Sequence, residues 1–370
     1  MSMSSIFRRL ISSKIASSPI LRRRKFCTTT AMEEVLRPSS SPYLMLPPFF
    51  FGGGRDMVYN FYSPAKDKVV SFNNRGGTEE TKLMQDDKTT LVGSSHGWLA
   101  LYNSSNRGML LLNPVSGHRI DLPPLAGKPF SREVAPWKLI MSCPPDEEEC
   151  RAVLIFNSAQ KVAFCCLGRS SHWTTFGDLE ERRYNDIVRG SFNFTFRYYL
   201  DFVYSAAQKR FMVLVLVKSI LQDTLMVGIE WSRPGPTTIG NTCWGERLAY
   251  AYIMSVEESG QVFLVVRRFN NNSNNRAEYP EFQWDVYRIE DVGGLELCLL
   301  LDDLTFFVGV NHSIASPSPK LKRNCIYFAT GDGQCIEVFD YKKKTRSPLY
   351  LPTHHQKTQS SMTWITPTFD

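Results

Sequence analysis

Nine cysteines and six histidines are the side chains of this 370-residue chain best suited to nucleophilic or metal chemistry, and their spacing limits what they can do. The cysteines stand at 27, 143, 150, 165, 166, 243, 298, 325 and 335, and no two form a Cys-x-x-Cys pair, so zinc-ribbon and dithiol-exchange chemistry lack their usual spacing. Cys143 and Cys150 flank an acidic loop, CPPDEEEC, whose ends would suit a reversible disulfide, although free thiols are the default in a reducing compartment. Cys165 and Cys166 lie in an apolar strand, VAFCCL, where at least one acts as a small core residue. Ser95-His96 sets a hydroxyl beside a base. Neighbours in a strand point to opposite faces, however, and no Gly-x-Ser-x-Gly elbow surrounds them, so they read as a surface turn. His354-His355 have no third ligand nearby. Asp146, Glu147, Glu148 and Glu149 could hold a hard cation but read as a solvated loop. There is no Gly-x-Gly-x-x-Gly and no phosphate loop, and Gly52-Gly53-Gly54 neither follows a strand nor opens a helix. No catalytic residue, cofactor or metal site is expected.

The elements that would position these groups are strands. Leu91–Leu125, LVGSSHGWLALYNSSNRGMLLLNPVSGHRIDLPPL, is the most legible unit. Gly93–Gly97 is expected as a turn, Trp98–Tyr102 as a half-buried strand, and Asn103–Gly108 as a second turn. Met109–Leu112 follows as a strand, Asn113–Gly117 as a Pro/Gly turn, and Arg119–Leu122 as a strand stopped by Pro123-Pro124. Further strand patterns recur downstream, among them Arg151–Phe156, Arg210–Val217, Gln261–Arg268 and Cys335–Tyr341, with no long amphipathic helix after residue 31. A strand–turn–strand frame returns with turns near 63, 114, 168, 290 and 342, a spacing of about 50 residues wherever adjacent units are visible. The expected fold is all-β, a Kelch-like β-propeller of about six blades; a pair of β-sandwiches is the alternative. Trp98 and Leu112 are expected inside one blade, while Trp98 and Trp173 are also the aromatics that could line the propeller top.

The first 31 residues differ in composition from the rest. They hold seven cations, seven serines and no acid, with Ile6, Phe7, Leu10, Ile11 and Ile15 near helical spacing. That is the composition of an organelle transit peptide, and Arg24, Phe26 and Cys27 mark a cleavage region. Mitochondrial matrix is the expected destination, with chloroplast or dual targeting as the alternative. Removing the seven cations takes 43 Lys+Arg to 36, against 36 Asp+Glu, so the mature chain is about neutral and nucleic acid is not an expected partner. The longest clean apolar run, Phe211–Val217, suits a buried strand and not a bilayer, so no membrane insertion is expected. The expected organisation is transit peptide 1–26, linker 27–56, propeller 57–351 and polar tail 352–370.

The motif GSSHGWLALYN…LLLNPVSGHRIDLPPL, followed in order by WKLIMSC, VAFCCLGRSSHWTTF, YNDIV, VFLVVRR, WDVYRIED, FFVGVNHSIAS, KRNCIYFATGDG and IEVFDY, resembles the plant domain-of-unknown-function 295 family, a Kelch-like, F-box-associated domain. The likeness runs from Met57 to Tyr350. Many members carry an F-box of about 45 residues near the N-terminus. Ala31–Met57 offers neither the length nor the pattern for one, as in the organelle-targeted branch of the family.

Together these readings describe an organelle-targeted, non-enzymatic propeller without ubiquitin-ligase adaptor activity. It would bind an organellar protein through its loops, after the import machinery has read its presequence. The candidate contacts are Ser95, His96, Asn106, Arg107, Glu147, Glu148 and Asn272. The alternative is an enzyme using the central channel.

Overall fold

The computed structural model describes residues 41–54, 56–74, 77–126, 130, 136–156, 161–175, 196–207, 209–218, 223–229, 237–238, 248–256, 259–269, 282–289, 295–301, 303–309, 312–317, 320–329, 336–350 and 362–366. Among them the strands fall into six sheets of four or five strands each. Sheet 1 combines β1 (Tyr43–Met45), β2 (Phe49–Phe51), β3 (Asp56–Ser63) and β4 (Lys68–Asn74) with the last strand among the described residues, β26 (Thr363–Ile365). Sheet 2 is the meander β5 (Thr89–Ser95), β6 (Trp98–Asn103), β7 (Gly108–Leu112), β8 (Arg119–Leu122). Sheet 3 is β9 (Pro136–Met141), β10 (Arg151–Phe156), β11 (Lys161–Cys166), β12 (Thr174–Thr175). Sheet 4 is β13 (Phe196–Ser205), β14 (Arg210–Lys218), β15 (Asp223–Ile229), β16 (Thr237–Thr238). Sheet 5 is β17 (Leu248–Ser255), β18 (Val262–Phe269), β19 (Phe282–Ile289), β20 (Leu295–Leu297). Sheet 6, ordered β22–β21–β23–β24–β25, holds β21 (Thr305–Val308), β22 (Ile314–Ser316), β23 (Cys325–Ala329), β24 (Ile336–Asp340) and β25 (Thr345–Tyr350). Its β21–β23 pair is parallel, and every other pairing is antiparallel.

Strands such as RAVLIF and VFLVVRRF are apolar on successive residues, with no polar face, because each sheet is covered on both sides by its neighbours. The core is therefore a set of seams. One apolar layer joins sheets 1 and 2 around Tyr59, Phe61 and Leu99. The next joins sheets 2 and 3 around Trp98, Leu111 and Leu154. Ile140, Ile155 and Phe202 join sheets 3 and 4, and Leu214, Ile253 and Leu264 join sheets 4 and 5. Phe263, Trp284 and Phe306 join sheets 5 and 6. Leu44, Phe307 and Trp364 join sheet 6 back to sheet 1, which closes the circle as an all-β propeller. Each large apolar side chain fully buried in a seam contributes about 1.5–3 kcal/mol.

The inner strands β26, β5, β9, β13, β17 and β22 ring the axis and show it their unpaired edges. Those edge groups need partners, and the neighbouring inner strand supplies them from side chains. Ser94 Oγ donates to the Trp364 carbonyl at 2.5 Å, Met141 N–H donates to Ser95 Oγ at 3.1 Å, and Ser255 Oγ donates to the Tyr204 carbonyl at 3.1 Å. Asp201 Oδ2 accepts Ile253 N–H at 3.0 Å. Because Gly93 and Ser95 lie against Leu139 and Met141, Lys138 and the loop after β9 against Asp201 and Tyr204, and Asp201 and Tyr204 against Ile253 and Ser255, β5, β9, β13 and β17 run parallel and enter the ring from one face. At Gly93 β5 passes so close to β9 that a Cβ would overlap the Leu139 carbonyl oxygen.

Several expected boundaries need correction. Residues 43–51 are not linker: Tyr43–Met45 is buried and pairs with both β3 and β26. The 352–370 segment is not wholly a polar tail, since Thr363, Trp364 and Ile365 close the ring as a buried strand. The expected turn at Gly93–Gly97 shrinks to His96-Gly97, both at positive φ (49° and 80°), as a two-residue hairpin turn demands. A short helix, α1 (Thr78–Gln85), lies between β4 and β5; its acidic first turn and Lys82 near its end suit the helix dipole. Trp98 and Leu112 are 3% and 2% exposed in one sheet, and Trp173 is likewise buried, donating to the Pro123 carbonyl at 2.6 Å. Neither tryptophan lines a loop face.

Candidate functional site

Two groups of polar and aromatic side chains lie where a propeller offers a site, at the axis and at the rim where the inner strands enter. At the axis, Lys138 of β9 forms an ion pair with Asp201 of β13, both side chains almost wholly buried. A β-bulge between Tyr199 and Asp201 re-aims the carboxylate toward the seam. Asp201 also accepts its neighbour Phe202 N–H at 2.7 Å and the Ile253 edge amide, so one carboxylate ties sheets 3, 4 and 5 together. His312, just before β22, is enclosed by protein there yet keeps partial solvent access. Burial, reinforced by the nearby Lys138 cation and by His96, pushes its pKa down to about 3, so it is neutral across the physiological range.

At the entry rim, Trp137 and Tyr250 are 48% and 51% exposed near the starts of β9 and β17. The Tyr250 ring stacks on Tyr252 with centroids 6.2 Å apart. Cross-strand pairing puts Tyr250, Arg267 and Trp284 in one row. The Arg267 guanidinium lies 3.5 Å from the Phe282 ring centroid, 5.3 Å from that of Phe328 and 5.4 Å from that of Trp284. It is mostly buried, its Nε has no hydrogen-bond partner, and burial lowers its pKa from the usual arginine range. An aromatic cage of this kind holds a cation in place of an acid.

The residues proposed from the sequence are dispersed. Ser95 is buried and serves the Met141 edge, as Ser94 serves Trp364, so neither is a loop contact. His96 heads the β5–β6 turn on the face where the inner strands leave the ring. Glu147 and Glu148 are exposed in the β9–β10 loop on that same face, Glu148 with Arg169 at 3.7 Å. Asn106 and the positive-φ Arg107 sit in the β6–β7 turn at the opposite end, with Asn106 Oδ1 accepting Gly108 N–H at 2.8 Å. Arg24, Phe26, Cys27 and Asn272 lie outside the described residues, as does the YNDIV motif. Lys138, Asp201, Trp137, Tyr250 and Arg267 were not singled out in the sequence; an isolated lysine in the run WKLIM is the signal that was there to find. Among the described residues no group of three or more His, Cys, Asp or Glu could hold a metal ion. No helix among them is long and apolar enough to cross a membrane.

This geometry agrees with the sequence comparison, in which the model of the KIB1-4 beta-propeller matches residues 61–350. The chain belongs to the KIB1-4 beta-propeller family. No curated protein matches it. Similar solved chains include one from a nidogen/laminin complex, at 5% identity over 87% of this chain and 96% of that one, with a TM-score of 0.42. The Cps50 (Swd1) beta-propeller domain of Myceliophteria thermophila is 9% identical over 83% of this chain and 85% of its own, with a TM-score of 0.33. AofleA from Arthrobotrys oligospora is 9% identical over 67% and 66%, with a TM-score of 0.35. For this KIB1-4 family member the matched region begins inside β3 and ends with β25, so it omits β1, β2 and β26, which complete sheet 1.

Proposed function

We propose that this KIB1-4 family propeller is a non-enzymatic protein-binding module of an organelle, each of its six sheets serving as one blade, and that the entry rim is its contact surface. The observation that carries this is the exposure of Trp137 and Tyr250, two large aromatics on rigid inner strands of one face. Tryptophan, tyrosine and arginine dominate the binding energy of protein interfaces, and aromatics on a rigid scaffold lose little entropy on docking. Catalysis at the axis is disfavoured on chemical grounds. Asp201 is saturated by Lys138 and two backbone amides, and His312 binds a proton too weakly to act as a base near neutral pH. The basic, acid-free start of the chain supports mitochondrial import, the neutral remainder argues against nucleic acid, and the ordered motifs support kinship with the plant domain-of-unknown-function 295 family, Kelch-like but without ubiquitin-ligase docking.

The test is a photo-crosslinking amino acid at position 137 or 250 of the full chain, imported into isolated mitochondria. One protein should be crosslinked at both positions, and Trp137→Ala with Tyr250→Ala should reduce its capture about tenfold or more. Failure of import, crosslinking to a ubiquitin-ligase adaptor, or metabolite turnover by the purified chain would overturn the reading.

A further inference from the structure

The β9–β10 hairpin carries two cysteines in a geometry that the rest of its loop enforces. Met141 pairs with Ala152, and Ser142 N–H donates to the Arg151 carbonyl at 2.9 Å, so Cys143 and Cys150 stand on the next rung. Partners directly opposite in an antiparallel pair have Cα atoms about 4.5–5.5 Å apart, inside the roughly 4.4–6.8 Å that a disulfide spans. The loop between them is folded back on itself: Glu147 N–H donates to the Pro144 carbonyl at 3.2 Å, and Cys150 N–H to the Glu147 carbonyl at 3.1 Å. Cys150 Sγ donates to the Cys143 carbonyl at 3.0 Å and is also in hydrogen-bonding contact with the Cys143 thiol. Cys143 is half-buried and Cys150 buried, so an oxidant from solvent meets Cys143 first.

We propose that Cys143 and Cys150 are a site of reversible oxidation to an intramolecular disulfide, with hydrogen peroxide as the oxidant. The Cys143 sulfur attacks one peroxide oxygen, the O–O bond breaks, and water leaves as Cys143 becomes a sulfenic acid. The Cys150 sulfur then attacks the Cys143 sulfur, the S–O bond breaks, the S–S bond forms, and the Cys150 thiol proton leaves with the hydroxyl as a second water. Two thiol hydrogens and two electrons have passed to the peroxide, and a dithiol reductant reverses the bond by exchange. Burial holds the Cys150 proton firmly, so this thiol waits as the resolving partner and is not the one first oxidised. The crosslink would fix the loop bearing Asp146–Glu149 on the exit face, close to Tyr204 of the next sheet.

The full chain treated with limiting hydrogen peroxide, blocked with a thiol-alkylating reagent and mapped as peptides under non-reducing conditions gives the test. A peptide linking Cys143 to Cys150 should be the main product, with reactive thiols falling by two per chain and returning on treatment with dithiothreitol. Cys143→Ser should abolish the link while melting like the wild type, which separates the chemistry from a folding defect. Irreversible sulfinic acid at Cys143 without the link, or a Cys150–Cys165 link across the same apolar layer, would overturn the proposal.

Discussion

Asp201 and Lys138 do unequal work although they form one pair. Asp201→Ala strips the partner from a buried ammonium and removes an acceptor from the Phe202 and Ile253 amides, whereas Lys138→Met leaves the carboxylate two amide donors. Removing one partner of a buried pair costs about 3–5 kcal/mol. Asp201→Ala should fall at the upper end and Lys138→Met below it, as denaturant midpoints would report; equal losses would mean that the amide bonds contribute nothing. His312 gives the chain a pH dependence of defined sign. An unfolded histidine takes a proton near 6.5, and this one in the folded chain only near 3, so between those values protonation favours unfolding. Stability is full above about pH 6.5 and declines as the pH falls toward 3, and His312→Gln should flatten that decline in urea titrations at pH 7 and pH 5. An unchanged slope would place the acid sensitivity elsewhere.

Among the elements, the hairpins were legible and the axis was not. Trp98–Leu122 alternates and turns at Asn, Gly and Pro, so its strands fall within a residue or so of expectation. Local chemistry sets such features. β1, β2 and β26 are three residues each, too short to carry a period, and their stability comes from pairing with chain that is distant in sequence. The Lys138–Asp201 pair spans 63 positions and depends on a bulge, which no local pattern announces. The KIB1-4 beta-propeller family match bears out the propeller, and the seams explain why burial patterns are two-sided. Gly93 shows how closely the inner strands approach. Gly93→Ala pushes a methyl against the backbone of β9, which β10 holds in place, so the strain cannot be relieved by a rotamer change. Overpacking costs about 1–3 kcal/mol, and contact with backbone belongs at the top of that range. A variant melting with the wild type would show that β5 and β9 can separate.

For the whole molecule, the decisive feature is that the first sheet is completed by the last strand. β26 pairs with β1 through Tyr43–Ile365, Leu44–Trp364 and Met45–Thr363, while Ser94 of sheet 2 bonds the Trp364 carbonyl and Trp364 Nε1–H donates to the Val308 carbonyl of sheet 6 at 3.1 Å. One fully buried tryptophan thus joins three sheets, packing edge-on against Phe307 with centroids 4.8 Å apart. Gly309 is required beside it, since a Cβ there would sit 2.7 Å from the His312 carbonyl oxygen and 3.0 Å from the indole. Ending the chain after residue 361 exposes the inner edge of β1 and leaves the Ser94 hydroxyl and the Val308 carbonyl without these partners. Trp364→Ala alone should cost about 3–5 kcal/mol, the range for a truncated core aromatic. The truncated chain should lose more than that, unfold without a single cooperative transition and aggregate through its open edge. A synthetic peptide spanning residues 359–370, added in excess, should restore part of the cooperative melt, because it supplies the same strand without the connection. Circular dichroism melts of the truncated chain, with and without the peptide, decide the matter. A truncated chain that melts cooperatively at the wild-type temperature would show that the ring holds without its closing strand.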